Sequence, residues 1–400
     1  MAHRVAAWMT FGTAALVAAI VLRPSPVYSH KPITTNVLFK NEIAQIFQRK
    51  CFQCHSENNL GVSLTTYTEA RPWARAIREE ILDRKMPPWT AVPGYGHFSN
   101  DISLNARETE IILSWTDGGA PSGVLKADES TPPVYVPPAP AWNHGTPDHV
   151  IPIGNGHAIG AGTSFELKRF VVDTGFAVPT RVRAIALKQG DRRVVRHAAF
   201  YEGATGRWLG AWTPWQTTTT LPAGAAYRLP ARAQIVVEMG YSGTSEAVTD
   251  KSELGLYVDT SSGPAVDSMS LQSADATVPA GAAAHRVRTE TKIATPVSVV
   301  ALWPTPTDGA RSIEIGTTTP DGVVSPLLWI KEFRPDWRSP YVLSSPVALP
   351  AGTRLTMTTY FDNSADKAVV ARAQTWLLVV IGGTGRAGGA GRVGRVSPPE

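Results

Sequence analysis

The chain has 400 residues, which is enough for two or three domains with their own hydrophobic cores. Gly (34) and Pro (32) are abundant and charged residues make up only 18%, a mixture that favours strands and turns over long helices. The formal net charge is only +5, and no dense basic stripe with interleaved aromatic residues occurs, which argues against nucleic acid as a partner.

The first 29 residues have the pattern of a secretory signal peptide. One early Arg precedes an uncharged apolar run from Val5 to Leu22, and prolines and small residues follow as far as Ser29. The run is nearly long enough to span a bilayer, so an uncleaved membrane anchor is the alternative. We predict a periplasmic or otherwise exported protein that contacts the membrane only if this segment is retained. Cleavage would make His30 the amino terminus, but no further histidines are placed to complete a copper site there.

Both cysteines of the chain lie in KCFQCHS (50–56), and His55 follows the second one directly. A thioredoxin-type pair would need a βαβ context, a zinc site would need further ligands, and a disulfide across so small a loop would contribute little. Two thiols one helical turn apart can bond the vinyl groups of haem, while the next imidazole reaches the iron. We therefore predict haem c attached covalently at Cys51 and Cys54, with His55 as the proximal axial ligand.

Three amphipathic stretches surround this motif, and each predicts a short helix. They span residues 41–51, 68–85 and 104–121. The third begins with a capping box, in which Asn105 caps the helix and Glu108 follows three residues later. Three short helices around a CxxCH motif resemble the small soluble cytochrome c domains. The resemblance implies a small all-α domain over residues 30–125.

Met86 is the only methionine between residues 30 and 125. The two prolines after it hold the chain extended, which suits a side chain presented from a loop. A thioether can serve as the second axial ligand of a haem iron, so we predict Met86 as the distal ligand. The alternatives are that Met86 fills a gap in the core, or that His97 is the distal ligand.

Beyond a Pro-rich linker at 126–140, the pattern changes to short apolar runs separated by Gly, Pro, Asp and Thr clusters. Two such series predict two antiparallel β-sandwich or jelly-roll domains, at 141–270 and 271–381. Residues 382–400 form a Gly/Arg-rich tail that we predict to be disordered. The tryptophans of GRWLGAWTPWQ (206–216) indicate either core packing, which we favour, or a stacking platform for a glycan or small aromatic ligand.

Several of these segments, in this order, resemble the two-domain core of the copper type II, ascorbate-dependent monooxygenases, the fold of the peptidylglycine α-hydroxylating enzymes. They are RRVVRHAAFYE, LPARAQIVVEMGYSG, KSELGLYV, PLLWIKEFRPDWRSPYVL and LPAGTRLTMTTYFDNSAD. The resemblance implies one copper held by three histidines and another held by His-x-His and a methionine.

Carried over one by one, the copper-ligand positions are mostly occupied by other residue types. The histidine positions fall on Arg196, His197, Gly240, Thr305 and Thr307, and no methionine follows Met357. His197 is therefore a remnant copper-ligand position, and copper is not expected because one imidazole cannot define a copper site. The spacing of His144, His149 and His157 fits no standard ligand pattern.

The residues present favour an exported haem c protein that carries out one-electron transfer. Its copper-free sandwiches would dock a periplasmic redox partner protein or bind a small molecule or glycan. One alternative is a haem-fed copper monooxygenase that hydroxylates a C–H bond, so enzymatic activity is left open. The other is a sensory module in which the state of the haem controls recognition by the sandwiches.

Overall fold

The computed structural model describes residues 34–123, Trp142 and residues 144–381. The predicted signal segment with His30, the predicted linker and the Gly/Arg tail lie outside the described residues. Within the described part of the chain, no helix combines the length and the apolar character needed to cross a bilayer.

Helices form in the three stretches where periodicity predicts them. They are a π-helical turn (Phe39–Ile43) that continues into α1 (Ala44–Lys50), then α2 (Tyr67–Ala70), a 3-10 turn (Arg71–Trp73), α3 (Ala74–Leu82) and α4 (Ala106–Asp117). The predicted capping box at the start of α4 is confirmed, since Asn105 accepts from the Glu108 amide and the Glu108 carboxylate accepts from the Asn105 amide. Their apolar faces meet around Phe39, Phe47 and Trp115.

Twenty strands account for most of the remaining described residues. They are β1 (His149–Pro152), β2 (His157–Ile159), β3 (Glu166–Asp173), β4 (Thr180–Lys188), β5 (Val195–Glu202), β6 (Trp208–Trp212), β7 (Ala226–Leu229), β8 (Gln234–Tyr241), β9 (Val248–Asp250), β10 (Glu253–Val258), β11 (Ala265–Gln272), β12 (Ala276–Val278), β13 (Ala282–Lys292), β14 (Val297–Pro304), β15 (Ala310–Thr318), β16 (Val324–Ile330), β17 (Tyr341–Leu349), β18 (Arg354–Asn363), β19 (Val369–Ala371) and β20 (Gln374–Ile381). A 3-10 turn, Pro335–Trp337, lies between β16 and β17.

The strands build a layered β-structure around one long sheet. That sheet has eight strands in the order β1-β10-β4-β7-β11-β20-β14-β17. A four-stranded sheet, β3-β8-β5-β6, packs on its first half, and another, β13-β18-β15-β16, packs on its second half. The parallel pair β7–β11 joins the two halves, and Trp303 and Leu378 of the second half enter the core of the first. The domain division at residue 270 stays a prediction.

Side-chain alternation explains why these segments become strands. In β18 every second side chain is buried, including Leu355, Met357 and Phe361, while the intervening residues are partly exposed. A period of two places the apolar set on one face of a sheet, where it packs on the opposing layer.

The predicted fold class, with a separate all-α cytochrome c domain, is wrong. The protein is mostly β-sheet, its helices are few and short, and residues 86–103, here called the strap, run along the second half of the β-structure. The Val92 amide donates to the carbonyl of Trp329 at 2.7 Å, and Ser99 donates to Val342 at 2.8 Å. Trp89 of the strap is buried in the core between the second four-stranded sheet and the long sheet. The helices are therefore one layer of a shared structure.

Candidate functional site

A cavity of about 400 Å³ lies between the helices, the strap and the β-structure. Most of its wall is apolar. The aliphatic and phenyl side chains that line it are Phe47, Leu60, Val62, Leu64, Ile77, Ile81, Ile102 and Leu104. A concave, mainly apolar site with a few polar groups is the usual form of a small-molecule or cofactor site.

The turn that follows α1 brings the CxxCH side chains to this cavity. The Cys51 amide still donates to Phe47 O at 2.8 Å, and the amides of Cys54 and His55 both donate to Cys51 O, at 3.0 and 2.9 Å. The chain therefore keeps turning after the helix ends at Lys50. Cys51, Cys54 and His55 all line the cavity, and both thiols are free.

Both cysteines are held in the neutral thiol form. Burial is the main cause that raises the pKa of Cys51 and of Cys54 to about 12. Thiolates are the reactive form in disulfide exchange and in zinc binding, so a raised pKa disfavours both roles.

His55 has one ring nitrogen engaged by the backbone. Its Nδ1 lies 3.0 Å from the carbonyl oxygen of Val62, a contact in which Nδ1 must carry the proton and Nε2 keeps its lone pair. Burial lowers the pKa of His55, which favours the neutral ring. A Cβ at Gly61 would lie 2.5 Å from the His55 ring, so the residue at 61 must be glycine for the ring to sit there.

Met86 begins the strap and lines the same cavity. Its amide donates to Glu80 O at 3.2 Å, which ties it to the end of α3, and Pro87 and Pro88 continue the wall. The competing residue, His97, does not line the cavity, and its carbonyl accepts from Ser344 instead. The cavity thus collects all four residues predicted for the haem site.

The β-structure supplies a wall that the sequence analysis did not anticipate. It is formed by Arg196, Trp215, Arg334, Asp336 and Trp337. Trp215 and Trp337 pack with ring centroids 6.1 Å apart. They come from three separate segments of the chain that share no common period, so periodicity could not predict that they meet at one cavity. Trp208 and Trp212, the neighbours of Trp215, are buried core residues, as the favoured interpretation predicted.

His197, which the sequence resemblance predicts to be a remnant copper-ligand position, lies in the core of the first half. It faces Gly240 across the β5–β8 pair, and a Cβ at Gly240 would lie 2.3 Å from the His197 ring. Phe165 and Trp303 flank the ring, at centroid distances of 6.0 and 6.2 Å. Neither ring nitrogen has a hydrogen-bond partner, and burial lowers the pKa of His197 to about 3. The imidazole thus fills the space that any side chain at position 240 would need.

The remaining candidate histidines do not converge. His144 contacts Thr218 Oγ1 at 2.6 Å, His149 packs on the Phe176 ring, and His157 contacts Glu166 Oε1 at 2.6 Å. Across residues 34–123 and 144–381, no three His, Cys, Asp or Glu side chains group closely enough to hold a metal ion.

Comparisons with known proteins give only distant structural similarity. No protein-family model matches the chain, and no curated protein sequence matches it. Among solved structures, it is similar to the VP2 subviral particle of infectious bursal disease virus (10% identity, 59% of this chain, 72% of that chain, TM-score 0.21). It is also similar to the major capsid protein P2 of bacteriophage PM2 (10% identity, 60% of this chain, 99% of that chain, TM-score 0.25). A third similar structure is that of PNGase F, a glycosylasparaginase from Flavobacterium meningosepticum (11% identity, 58% of this chain, 96% of that chain, TM-score 0.25). At these scores, none of them indicates what this chain does.

The predicted family identity is therefore corrected. The chain is a mostly β-sheet protein, not a cytochrome c domain fused to a monooxygenase-like module, because the residues that the structure describes form layered sheets with short helices and no separate helical domain. The predicted functions that depended on this identity, haem electron transfer and copper-dependent hydroxylation, are wrong with it. The β-sandwich character is retained. The bound cofactor, the partner protein and the export of the chain stay predictions.

Proposed function

We propose that the protein is a binding protein for a planar, apolar tetrapyrrole of the haem type, held covalently in the cavity by Cys51 and Cys54. The observation that carries the proposal is the convergence of both thiols, the His55 imidazole and the Met86 thioether on one apolar cavity. The proposal concerns binding, and it assigns neither electron transfer nor oxygen chemistry to the chain.

The state of the thiols supports covalent attachment. Joining a thiol to a vinyl group breaks the S–H bond and the carbon–carbon π bond and forms one S–C and one C–H bond, so no oxidant or reductant is required. Cys51 and Cys54 are free thiols and are not joined in a disulfide, so each can supply the S–H group that this addition uses. Their two-residue separation across one turn places them side by side on the cavity wall.

The other two groups suit the metal of such a ligand. A bound haem would supply an iron already held by its ring, and His55 and Met86 would be the residues of this chain that hold it. His55 keeps its Nε2 lone pair because Nδ1 contacts Val62 O, and Met86 supplies a neutral sulfur. The signal-like first 29 residues support the proposal that the protein is exported.

Covalent attachment is tested by the mass and absorbance of the denatured protein after expression in a host able to attach haem. We expect the wild-type chain to carry the mass of one haem and its absorbance, and Cys51→Ser/Cys54→Ser to carry neither after denaturation. Ser63→Ala, a substitution outside the cavity wall, is the matched control and should retain the haem. A wild-type chain without added mass would contradict the proposal, and so would a double variant that keeps it.

A further inference from the structure

The cavity wall formed by the β-structure contains a pair of arginines that share one carboxylate. Arg196 Nη1 and Arg334 Nη2 both donate to the same oxygen of Asp336, each at 3.1 Å. Lys50 and Glu80 are the other charged residues that line the cavity. Three cationic and two anionic side chains thus face one cavity, which leaves an excess of positive charge on an otherwise apolar wall.

Other contacts fix the orientation of both guanidinium groups. Arg196 donates through Nε to Ser242 Oγ at 2.8 Å, and its guanidinium lies 4.9 Å from the centre of the Trp337 ring. Arg334 donates through Nη1 to the carbonyl of Lys85 at 3.3 Å, directly before Met86. The two side chains are only 20% and 29% exposed. They are therefore ordered, half-buried donors and not freely solvated surface charges.

Partly desolvated positive charge is costly unless an anion balances it. A guanidinium matches the geometry of a carboxylate, and hydrogen bonds between such charged partners are about twice as strong as neutral ones. Asp336 presents one oxygen to two arginines, so an incoming carboxylate would complete the pairing. We infer that Arg196 and Arg334 recognise a carboxylate carried by the ligand of this cavity. This inference rests on the proposed function, and for haem the groups concerned are its propionates.

The test compares two ligands that differ only in these acid groups, haem and haem dimethyl ester. Full-length Cys51→Ser/Cys54→Ser protein is used as the background, so that binding is reversible and Kd can be measured by absorbance titration. We expect Arg196→Gln and Arg334→Gln each to weaken haem binding about tenfold or more, the loss of a hydrogen bond between charged partners. The same two variants should change the Kd of the ester by less than about twofold, because the ester has no carboxylate for the arginines to bind.

Arg372→Gln is the matched control, because Arg372 pairs with Asp275 and does not line the cavity. It should leave both Kd values unchanged. Equal weakening of haem and ester by the cavity variants, or no weakening of haem, would overturn the inference while leaving the proposed function intact. If the background protein bound neither ligand, this inference would be overturned, whereas the proposed function is judged separately by the haem mass of the wild-type chain.

Discussion

His197 is a neutral imidazole buried without hydrogen bonds, and this has a consequence for acid stability. Burial lowers its pKa in the folded protein to about 3, whereas a histidine in an unfolded chain titrates near 6.5. Between these values the unfolded state binds a proton that the folded state does not. The contribution to stability is therefore fully present above pH 6.5 and is lost as the pH falls towards 3.

Replacing His197 with leucine should remove this acid sensitivity. From pH 7 to pH 4, the wild-type free energy of unfolding should fall by about 3 kcal/mol more than that of His197→Leu. The unfolded histidine is protonated over roughly two to three pH units of this range while the folded one is not, and each unit is worth about 1.4 kcal/mol. Denaturant unfolding at both pH values measures the difference. Met239→Leu is the control for a change in the core, because Met239 is buried in β8, the strand that pairs with the strand of His197. Its free energy of unfolding should fall between pH 7 and pH 4 by as much as that of the wild type. If the free energy of unfolding fell equally with pH in the wild type and in His197→Leu, the argument would be refuted.

Gly61 is required by the position of the His55 ring rather than by the backbone. A Cβ there would lie 2.5 Å from two ring atoms, closer than carbon and nitrogen atoms can approach. Gly61→Ala should therefore displace the ring from Val62 O and destabilise the fold by about 1 to 3 kcal/mol, the usual cost of overpacking. Imidazole nitrogen NMR shifts and denaturant unfolding report the two effects.

Gly160→Ala is the control for this substitution, since its Cβ would meet only Thr163 Oγ1 at 3.5 Å, an ordinary contact. An unchanged His55 nitrogen spectrum in Gly61→Ala would show that the ring is not confined as described.

At the scale of elements, the periodicity of apolar residues predicted individual helices and strands, but it did not predict contacts between segments that lie far apart in the chain. The helices around α1 and α4 and the strand runs were predictable because a helix or a half-buried strand repeats its apolar residues within one short segment. The strap has no such period. Its Trp89 is buried only because β16 and β17 cover it, more than 200 residues later. The pairing of Arg196 with Asp336 was invisible for the same reason.

Asn100 bonds the strap to the β-structure through both polar atoms of its side chain. Its side-chain amide donates to Pro340 O at 2.7 Å and its carbonyl accepts from Val342 N at 3.1 Å, in a buried setting. Asn100→Ala would leave both backbone groups unsatisfied, at a cost of about 2 to 4 kcal/mol. Asp101→Ala should cost much less, because Asp101 is exposed and bonds to Ser103 within the strap.

Amide hydrogen exchange shows whether Asn100→Ala destabilises the strap and the helices alone or the whole protein. In Asn100→Ala, the amides of the strap and the helices should exchange faster, while those of β5 and β8 keep their protection. Uniformly faster exchange would indicate global destabilisation and contradict the element-level argument.

At the scale of the whole molecule, the helices depend on the β-structure that they cover. Trp89, Phe98 and Tyr341 form an aromatic cluster with ring centroids 5.1 to 5.8 Å apart, and Tyr341 belongs to β17. The helices have their own small core around Phe39 and Trp115. All three rings would lose a partner if the segments were separated, because Trp89 and Phe98 each pack on Tyr341.

Residues 34–123 expressed alone should therefore be much less stable than the same segment within residues 34–381. A small core buries a smaller share of the surface of its chain, and exposing the strap aromatics would cost each about 1.5 to 3 kcal/mol of burial. Denaturant unfolding followed by helical circular dichroism measures the fragment, and hydrogen exchange of α1 and α4 measures the full chain. Trp89→Ser in the full chain should lower the protection of α1 and α4, whereas Leu82→Ser, at an exposed position outside the cavity wall, should not. A fragment as stable as the intact chain would mean that the helices fold as an independent domain after all.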